Sequence, residues 1–253
     1  MQLTKRTKII AIAAVVALVA IGAPVVAITL INQTTASNSV GFTLLDNAGV
    51  MIETRGVRIY VDPINLPSEY ASRPADAILI THPHEDHYQP VTISMLQKQD
   101  TMNVFPANMT TAISLFDGVS VHPRDQLQVG HVRITAFYMA TPTSHPPEAN
   151  WTSYIIDING FTIFHAGDSK LLPQHSELAG TIDVACLPLG PGCQSMADVE
   201  VVSAIATLQA RYFVPIHYTA GADHTFLTNY GSLITDCTIV SLDYYQSHTF
   251  QIT

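Results

Sequence analysis

The sequence has 253 residues, of which 47% are apolar, and it carries a formal net charge of −9. So high an apolar content excludes a disordered chain, and the acidic excess argues against binding to nucleic acid. Apart from an apolar N-terminal segment, the chain is long enough for one large domain with a substantial hydrophobic core.

The N-terminus combines basic residues with a long apolar stretch. Residues 1–8 include Lys5, Arg6 and Lys8, and Ile9–Ile31 contains no charged residue. A helix of this length, at about 1.5 Å per residue, can cross a hydrocarbon core of about 30 Å. It exceeds the apolar core of roughly 7–15 residues found in cleaved signal peptides. We therefore expect a single-pass membrane anchor with the rest of the chain outside the cytoplasm, or a secreted protein if the segment is cleaved.

The folded domain is predicted to follow a polar linker over residues 32–39 and to occupy residues 40–253. It begins with three short β-prone runs, Gly41–Leu45, Val50–Glu53 and Val57–Val61, which turn residues separate. This spacing predicts an antiparallel meander. A further apolar run over Ala77–Thr81 predicts a buried strand.

Strands and helices alternate through the rest of the chain. Helices are predicted over Pro90–Lys98, Thr110–Phe116 and Asp198–Gln209. Strands are predicted over Asn103–Pro106, Ser120–His122, Val132–Met139, Thr152–Ile158, Phe161–Phe164, Val184–Leu187, Tyr212–Ile216, Thr238–Leu242 and His248–Ile252. Asn159 and Gly160 predict a tight hairpin between two of these strands. Residues 141–150 and 219–229 are interpreted as loops.

The chemistry of the sequence centres on Thr81–Tyr88, which reads Thr-His-Pro-His-Glu-Asp-His-Tyr and directly follows a predicted buried strand. Neutral imidazole is the commonest protein ligand for a divalent transition metal, and a carboxylate can complete such a site. A polar loop with accidental histidines is the alternative. The His-x-His-x-Asp-His spacing and the partners that follow downstream argue against it.

Further candidate ligands recur where later strands are predicted to end. His145 lies in a loop, Asp168 follows one strand and His217 follows another. Side chains from several strand ends can meet at one rim of a sheet. One metal ion needs only three or four protein ligands, so the larger set predicts two ions that share a ligand, with the Asp168 carboxylate as the bridge. The predicted metal ligands are His82, His84, Asp86, His87, His145, Asp168 and His217.

The order of these motifs resembles that of the metallo-β-lactamase-fold hydrolases. Val61–Pro63, His165–Asp168 and Pro215–Tyr218 look like the branch that includes ascorbate-6-phosphate lactonase and uncharacterised metal-dependent hydrolases. The resemblance covers Val40–Thr253. It implies an α/β (α+β) domain built as a four-layer αβ/βα sandwich, with the metal ions at one edge. That branch often has a histidine in the first meander turn, where this chain has Asn47, so no substrate role is carried over to that position.

The resemblance also divides the ligands between two ions. It assigns His82, His84 and His145 to the first ion, places Asp168 between the two ions, and assigns the remaining ligands, Asp86, His87 and His217, to the second. A bridging Asp168 is unlike the true β-lactamases and resembles the thioesterase, lactonase and phosphodiesterase branches.

The expected reaction follows from two adjacent cations, which would hold a water between them and lower its pKa to give a hydroxide nucleophile. Zinc suits this ligand set, and manganese or iron also fits. We therefore predict a dinuclear metal-dependent hydrolase that acts on an ester, lactone or phosphodiester bond of a small molecule, with Asp86 and Asp168 as catalytic metal ligands. The alternatives are an iron-dependent oxidoreductase on the same fold and a non-catalytic metal-binding surface module.

Several nearby residues have two interpretations each. Asp62 is a candidate to hold a proton of a ligating imidazole, or is a turn residue at a strand end. His165 is a candidate proton donor or substrate contact, or a structural histidine. His224 and Tyr218 are candidate substrate contacts, with packing as the alternative for the tyrosine. Glu85 is expected to face solvent.

The remaining features carry no chemistry of their own. Cys186 and Cys193 are close enough in sequence to pair in an oxidising compartment, and free buried thiols are the alternative. Trp151 is interpreted as a core or rim residue, and His175 as a surface or packing residue. The sequence leaves the oligomeric state open.

Overall fold

The structure, a computed structural model, describes residues 38–190 and 196–252. In this part of the chain no helix is long and apolar enough to cross a membrane. The predictions of a single-pass membrane protein and of membrane association through an N-terminal helix are therefore corrected, and the extracytoplasmic location that depended on them loses its support. Ile9–Ile31, the predicted anchor, lies outside the described residues, as does Cys193.

Fourteen strands and four α-helices make up the regular structure of the described residues. The strands are β1 Ser39–Leu44, β2 Val50–Thr54, β3 Val57–Val61, β4 Ala77–Leu79, β5 Met102–Pro106, β6 Val119–Val121, β7 Gln126–Val129, β8 Val132–Tyr138, β9 Thr152–Ile158, β10 Phe161–His165, β11 Val184–Pro188, β12 Tyr212–Ile216, β13 Thr238–Ile239 and β14 Ser247–Gln251. The α-helices are α1 Pro90–Leu96, α2 Thr110–Phe116, α3 Asp198–Leu208 and α4 Ala222–Tyr230. Short 3-10 helices cover Ser68–Ser72, Pro147–Ala149, Pro173–Leu178 and Gly231–Leu233.

Within the described residues the strands form two seven-stranded sheets of the same plan. One has the order β14-β1-β2-β3-β4-β5-β6 and the other the order β13-β12-β11-β10-β9-β8-β7. In each sheet one half is antiparallel and the other half, β3 to β6 or β10 to β13, is parallel. The predicted meander of the first three strands is confirmed. The Asn159-Gly160 hairpin is also present, with φ angles of 53° and 93° that fit the tight turn predicted there.

The alternation of apolar side chains along the strands builds the layers. In β3, Ile59 and Val61 enter the core between the two sheets, while Tyr60 between them faces the opposite side and packs with α1 and α2. In β12, Val214 likewise enters the inter-sheet core, and Phe213 packs on the other face against Phe226 of α4. Side chains of a strand alternate between its faces, so each sheet is covered on both. The predicted four-layer αβ/βα sandwich is confirmed.

Two elements were missed by the sequence interpretation. Helix α4 overlaps residues 219–229, which were interpreted as a loop, and extends one residue beyond them. It buries only Asp223 and Phe226, so its sequence lacks a strong helical pattern. Strand β7 is a four-residue edge strand in which only Val129 is buried, which leaves a weak alternation to detect. Strand β13 ends at Ile239, three residues short of the predicted end at Leu242.

The directions of the strands determine where a site can form. Strands β1, β3 and β4 run in one direction in the first sheet, and β8, β10 and β12 run in one direction in the second. The segments that follow these strands therefore lie at a shared edge of each sheet. In open α/β sheets, ligands bind beyond the carboxyl ends of the strands.

His175 is a buried histidine outside that edge. Its ring lies against Phe137 and Phe164, its Nδ1 accepts a hydrogen bond of 3.3 Å from the Leu172 amide, and its Nε2 has no hydrogen-bond partner. Burial lowers the pKa of His175 from 6.5 to about 4. The unfolded chain therefore takes up a proton more readily than the folded chain between these two values, and stability is lost as pH falls through that window.

We expect the free energy of unfolding to fall between about pH 7 and about pH 5 by about 2 kcal/mol through His175 alone. Urea unfolding of the wild type and of His175→Phe at both pH values measures this loss. The variant should lack the part of the fall in unfolding free energy that His175 causes. His122, whose side chain is 64% exposed, provides the control, since His122→Ala should keep the full pH dependence. A His175→Phe protein with the same pH dependence as the wild type would contradict the prediction.

Candidate metal centre

The predicted ligands come together at the shared edge of the two sheets. His82, His84, Asp86 and His87 lie in the segment after β4, and His145 lies in the segment after β8. The remaining two follow β10 and β12; they are Asp168 and His217. Their ligand atoms form three overlapping groups, and the atoms in each group lie within 4.8 Å of one another. Residues far apart in sequence thus converge because their strands end at the same edge.

The first ligand group consists of three imidazoles and one carboxylate. The Nε2 atom of His82 lies 3.1 Å from Nδ1 of His84 and 3.2 Å from Nε2 of His145. Asp168 completes the group: its Oδ2 atom lies 3.4 Å from His145 Nε2 and 3.7 Å from His82 Nε2. Three ring nitrogens and one oxygen that converge in this way form a ligand set suited to a transition metal.

The second ligand group shares Asp168 with the first and adds His87 and His217. The Oδ1 atom of Asp168 lies 2.9 Å from His87 Nε2 and 3.5 Å from His217 Nε2. Asp86 lies beside this group, with its Oδ2 atom 3.2 Å from His217 Nε2 and 3.9 Å from His87 Nε2. The two oxygens of Asp168 therefore face different sets of imidazoles.

A glycine permits the position of Asp168. Gly167 has a φ of +56°, and a Cβ atom placed on it would lie 2.7 Å from Sδ of Met139 and 3.2 Å from Thr81. A larger residue would have to adopt the left-handed conformation and displace these side chains. The Gly-Asp pair thus lets the chain turn sharply after β10 and places the carboxylate between the two ligand groups.

Some polar atoms of these side chains have no hydrogen-bond partner within the protein. His87 Nε2 and both carboxylate oxygens of Asp168 are buried and have no hydrogen-bond partner of acceptable geometry, although they approach one another closely. Buried polar atoms are otherwise almost always satisfied. An imidazole nitrogen and a carboxylate that lack partners, turned toward each other among further imidazoles, are the donor set of a metal site, and the residues therefore fit divalent ions.

A buried aspartate orients two of the imidazoles. Oδ2 of Asp62 lies 2.8 Å from His87 Nδ1 and accepts a hydrogen bond of 2.6 Å from the Thr81 hydroxyl. Since a carboxylate only accepts, the Thr81 oxygen is left to accept from Nδ1 of His82, 2.9 Å away. With a metal ion bound, both rings would keep their proton on Nδ1 and present an unprotonated Nε2 to the ligand groups.

Burial and charge act against each other in this site. Burial lowers the pKa of His82 well below its usual value, and the neighbouring His87 adds to this effect. Burial would also lower the pKa of His87, but the carboxylates of Asp168 and Asp62 raise it to about 10. Burial would raise the pKa of Asp168, but His87 and other imidazoles hold it well below its usual value. The metal-free protein thus keeps a buried anion between histidines, and a bound cation would take over the charge of the proton on His87.

Asn47 connects two predicted ligands of the second ion. It lies in the β1–β2 turn with a φ of 54°, and its Nδ2 donates to the backbone oxygen of Asp86 at 2.9 Å and to Oδ2 of Asp86 at 3.5 Å. Its backbone oxygen accepts from the amide of His217 at 3.1 Å. The position that differs from the related branch therefore holds Asp86 and His217 in place.

We expect Asn47→Gly to weaken the binding of one metal ion by about 10-fold or more while the other ion stays bound, because outer hydrogen bonds tune metal affinity by that amount. Stepwise titration of the metal-free protein, followed by calorimetry, would measure both affinities. Asn47→Ala should show the same metal effect and lose a further 1–2 kcal/mol of stability, approximately, since alanine is disfavoured at positive φ. Equal metal affinities in Asn47→Gly and the wild type would exclude this role.

Three other candidate residues lie outside the ligand groups. Both ring nitrogens of the buried His165 are engaged, since Nε2 lies 2.7 Å from the Ala48 carbonyl and Nδ1 accepts from the Gly167 amide at 3.2 Å. The hydroxyl of Tyr218 donates to the Leu242 carbonyl at 2.9 Å. The side chain of His224 is 77% exposed on α4. The structure supports a structural role for His165 and gives no contact of the other two with the ligands.

Sequence reasoning assigned no role at the site to three residues of this region. Thr81 and Thr141 contact the Nδ1 atoms of His82 and His145, the second at 3.2 Å. Trp151 packs its indole against the rings of His82, His84 and His145, with centroids 5.2–5.4 Å apart. A threonine directly before the first histidine was the available signal for Thr81. Nothing in the sequence indicates that Trp151 lies beside the ligands, because that contact depends on how β9 packs.

Comparison with known proteins identifies relatives of most of the described domain. The profile of the β-lactamase superfamily domain matches residues 42–217. A UPF0173 metal-dependent hydrolase of Lysinibacillus sphaericus is 31% identical over 187 residues, which cover 67% of this chain and 81% of the relative. Igni18, a metallo hydrolase from Ignicoccus hospitalis, superposes with a TM-score of 0.73 at 19% identity over 85% of this chain and all of its own. CmlA, a diiron β-hydroxylase from Streptomyces venezuelae, has a similar fold, with a TM-score of 0.66 at 14% identity over 85% of this chain and 54% of its own.

Proposed function

Because the chain belongs to the metallo-β-lactamase superfamily and is a metal-dependent hydrolase, we propose that it binds two divalent metal ions through a shared Asp168 and hydrolyses an ester, lactone or phosphodiester bond of a small molecule. Zinc is the ion we propose first, since four or more imidazoles with carboxylates suit it; manganese and iron fit the same mixed nitrogen and oxygen set.

One observation carries the dinuclear part of the proposal. The Asp168 carboxylate is buried, and its Oδ2 faces His82 and His145 while its Oδ1 faces His87 and His217. A carboxylate that served one ion, or a structural salt bridge, would not need an imidazole pair at each oxygen. The arrangement supports one ion on each side, with Asp168 as a ligand common to both.

The ions would supply, when bound, a Lewis acid for the scissile carbonyl or phosphoryl oxygen and a lowered pKa for the attacking water. The protein's own part is orientation. Asp62 holds the proton on Nδ1 of His87 and, through Thr81, the proton on Nδ1 of His82. The two Nε2 atoms then remain free to bind, and the rings cannot rotate away from the site.

Glu85 is the matched control for the proposed ligands. It lies between His84 and Asp86, is exposed, and belongs to none of the ligand groups. The adjacent ligands point into the site while Glu85 faces solvent, so Glu85→Gln should leave metal content and turnover unchanged. Any loss in an aspartate-to-asparagine variant of the site can then be assigned to that position and not to a lost carboxylate in the same loop.

The test is metal analysis followed by a substrate panel. The full chain is purified without added metal, its zinc, manganese and iron are measured by mass spectrometry, and metal-free protein is reloaded with each ion separately. Each form is assayed with p-nitrophenyl esters, lactones and p-nitrophenyl phosphodiesters. Two ions per chain and hydrolysis of at least one class support the proposal; one ion per chain, or no hydrolysis with any ion, overturns it.

The same preparation tests the rival activity. Iron as the native metal, with oxygen consumption that no other ion supports, would favour the oxidoreductase predicted as an alternative. Stoichiometric metal without turnover of any substrate would favour a binding module. Both results contradict the proposed hydrolysis.

A further inference from the structure

A cavity of about 250 Å³ adjoins the first ligand group and has no role in the chemistry described so far. Residues from several elements line it, including Tyr138 and Met139 at the end of β8, Pro147, Trp151 at the start of β9, and Leu172. Trp151 forms the wall of the cavity on the side of the ligands, because the same indole packs against His82, His84 and His145. A molecule in the cavity would therefore lie next to the first ligand group.

The lining of the cavity is uncharged. None of its ten described lining residues is an aspartate, glutamate, lysine, arginine or histidine. Arg124, which lies over the ring of the lining residue Tyr138 at 5.4 Å, is paired with Glu177 at 2.8 Å and 3.0 Å. The charge at this end of the cavity is thus compensated. A carboxylate or phosphate in the cavity would lose its hydration without gaining a counter-charge.

The cavity is also the right size for part of a substrate. Pockets that bind whole drug-sized ligands occupy roughly 300–1,000 Å³, so this one suits a smaller group. Its walls are mostly apolar or aromatic, and polar contacts come from few side chains, such as Gln174 and Asn150. Flat indole and phenol rings give an apolar substituent a large contact area.

We propose that this cavity binds a neutral, largely apolar substituent of an ester or lactone substrate, packed against Trp151, while the scissile carbonyl lies at the metal ligands. The proposal deepens the proposed function and rests on it. In the reaction the acyl carbon–oxygen bond breaks, water supplies the new oxygen of the carboxylic acid, and a proton from water passes to the leaving alkoxide. The cavity selects the substrate and takes no part in these bond changes.

Matched pairs of esters test the selectivity. Methyl butyrate is compared with the carboxylate-bearing methyl hydrogen succinate, and butyl acetate with its carboxylate-ended analogue, by pH-stat titration of the metal-loaded enzyme. We expect the neutral ester to have the higher kcat/KM by about 10-fold or more in at least one pair, as pocket contacts commonly discriminate by such factors. Equal kcat/KM values within both pairs would overturn the proposal.

Variants of the cavity separate its role from a general loss of structure. Trp151→Ala should lower kcat/KM for the preferred neutral ester about 10-fold or more while the charged partner changes little, and Trp151→Phe should restore most of the loss. Leu172→Lys places a cation in the cavity without touching a ligand residue and should shift the preference toward the carboxylate-bearing ester. Leu233, 63% exposed in a different cavity, is the control: Leu233→Ala should leave both values unchanged.

A binding measurement does not depend on turnover. Trp151 is the only tryptophan of the chain, so intrinsic tryptophan fluorescence reports on this wall alone. We expect butyramide to give a saturable change in emission at a lower concentration than its anionic counterpart succinamate. An unchanged emission with both compounds would contradict the proposal even if Trp151→Ala failed to fold.

Different results would contradict the proposed function and the proposed role of the cavity. If no ester, lactone or phosphodiester is hydrolysed with any ion, the proposed function is wrong. If esters are hydrolysed but the matched pairs are equal and Leu172→Lys changes nothing, the proposed function stands and the cavity assignment is wrong.

Discussion

Asp168→Asn should reduce hydrolysis on the order of 10³-fold or more and remove at least one metal ion per chain. An amide offers one oxygen and no negative charge, so it cannot replace a carboxylate whose Oδ1 and Oδ2 each face a pair of imidazoles. The activity loss follows because several kcal/mol of transition-state stabilisation are expected from the metal ions, and each 1.36 kcal/mol is a factor of ten in rate. Metal content by mass spectrometry and kcat/KM on the best substrate measure both effects.

Two comparisons make the Asp168 result specific. Glu85→Gln removes a carboxylate from the same edge and should keep the full metal content. Asp86→Asn should act mainly on the second ligand group and retain one ion, because the 46%-exposed Asp86 side chain lies 3.2 Å from His217 Nε2 and 3.9 Å from His87 Nε2. An Asp168→Asn protein that keeps its metal content and every measured activity would show that the two-metal arrangement is wrong.

The sequence alone predicted the parts of the fold that depend on local pattern. Alternating apolar residues located nearly all the strands, and four segments have the predicted bounds: Val57–Val61, Thr110–Phe116, Thr152–Ile158 and Tyr212–Ile216. Local pattern is weakest where an element buries little, which is why α4 and β7 were missed.

The candidate site likewise has a part that the sequence predicted and a part that it did not. The dense histidine motif and the strand-end positions of Asp168 and His217 pointed to one rim, and the structure brings those side chains together. Their identity as ligands stays a prediction until metal is measured. What the sequence could not give are contacts between elements: Asn47 on Asp86, and Trp151 on three histidine rings. Each of these contacts joins residues from different elements, and no pattern in the sequence indicates that those elements pack together.

One buried residue, Asp62, holds the histidine motif in place through hydrogen bonds. Asp62 is fully buried after β3 with a φ of +46°, a conformation that asparagine and aspartate tolerate better than most residues. Its two oxygens receive the Thr81 amide at 2.8 Å, the Thr81 hydroxyl at 2.6 Å and His87 Nδ1 at 2.8 Å. One carboxylate thus fixes the first residue of the histidine motif and orients a ring in each ligand group.

Asp62→Asn should therefore weaken metal binding by about 10–100-fold and lower the free energy of unfolding of the metal-free protein by about 3 kcal/mol. The backbone conformation remains available to asparagine, so the loss reports on charge and hydrogen bonding. The amide can still accept one bond but places an N–H group toward the Thr81 or His87 donors, and His87 loses one of the two carboxylates that stabilise its charged form. Metal titration and urea unfolding measure the two effects.

Asp76→Asn is the matched control for Asp62. Asp76 also accepts from a backbone amide, that of Arg58 at 2.7 Å, but its side chain is 23% exposed and it pairs with Lys98 away from the site. It should cost less than about 1 kcal/mol of stability, because the asparagine oxygen can still accept from the Arg58 amide and only the pair with the 42%-exposed Lys98 is lost, and metal affinity should be unchanged. Thr81→Val separates the effect of Asp62 on His82 from its effect on His87. The substitution removes the hydroxyl that links Asp62 to His82, while His87 keeps its hydrogen bond to Asp62. If Asp62→Asn bound metal as tightly as Asp76→Asn does, orientation of the imidazoles by Asp62 would have no part in the site, and the hydrogen bonds would serve only to close the turn after β3.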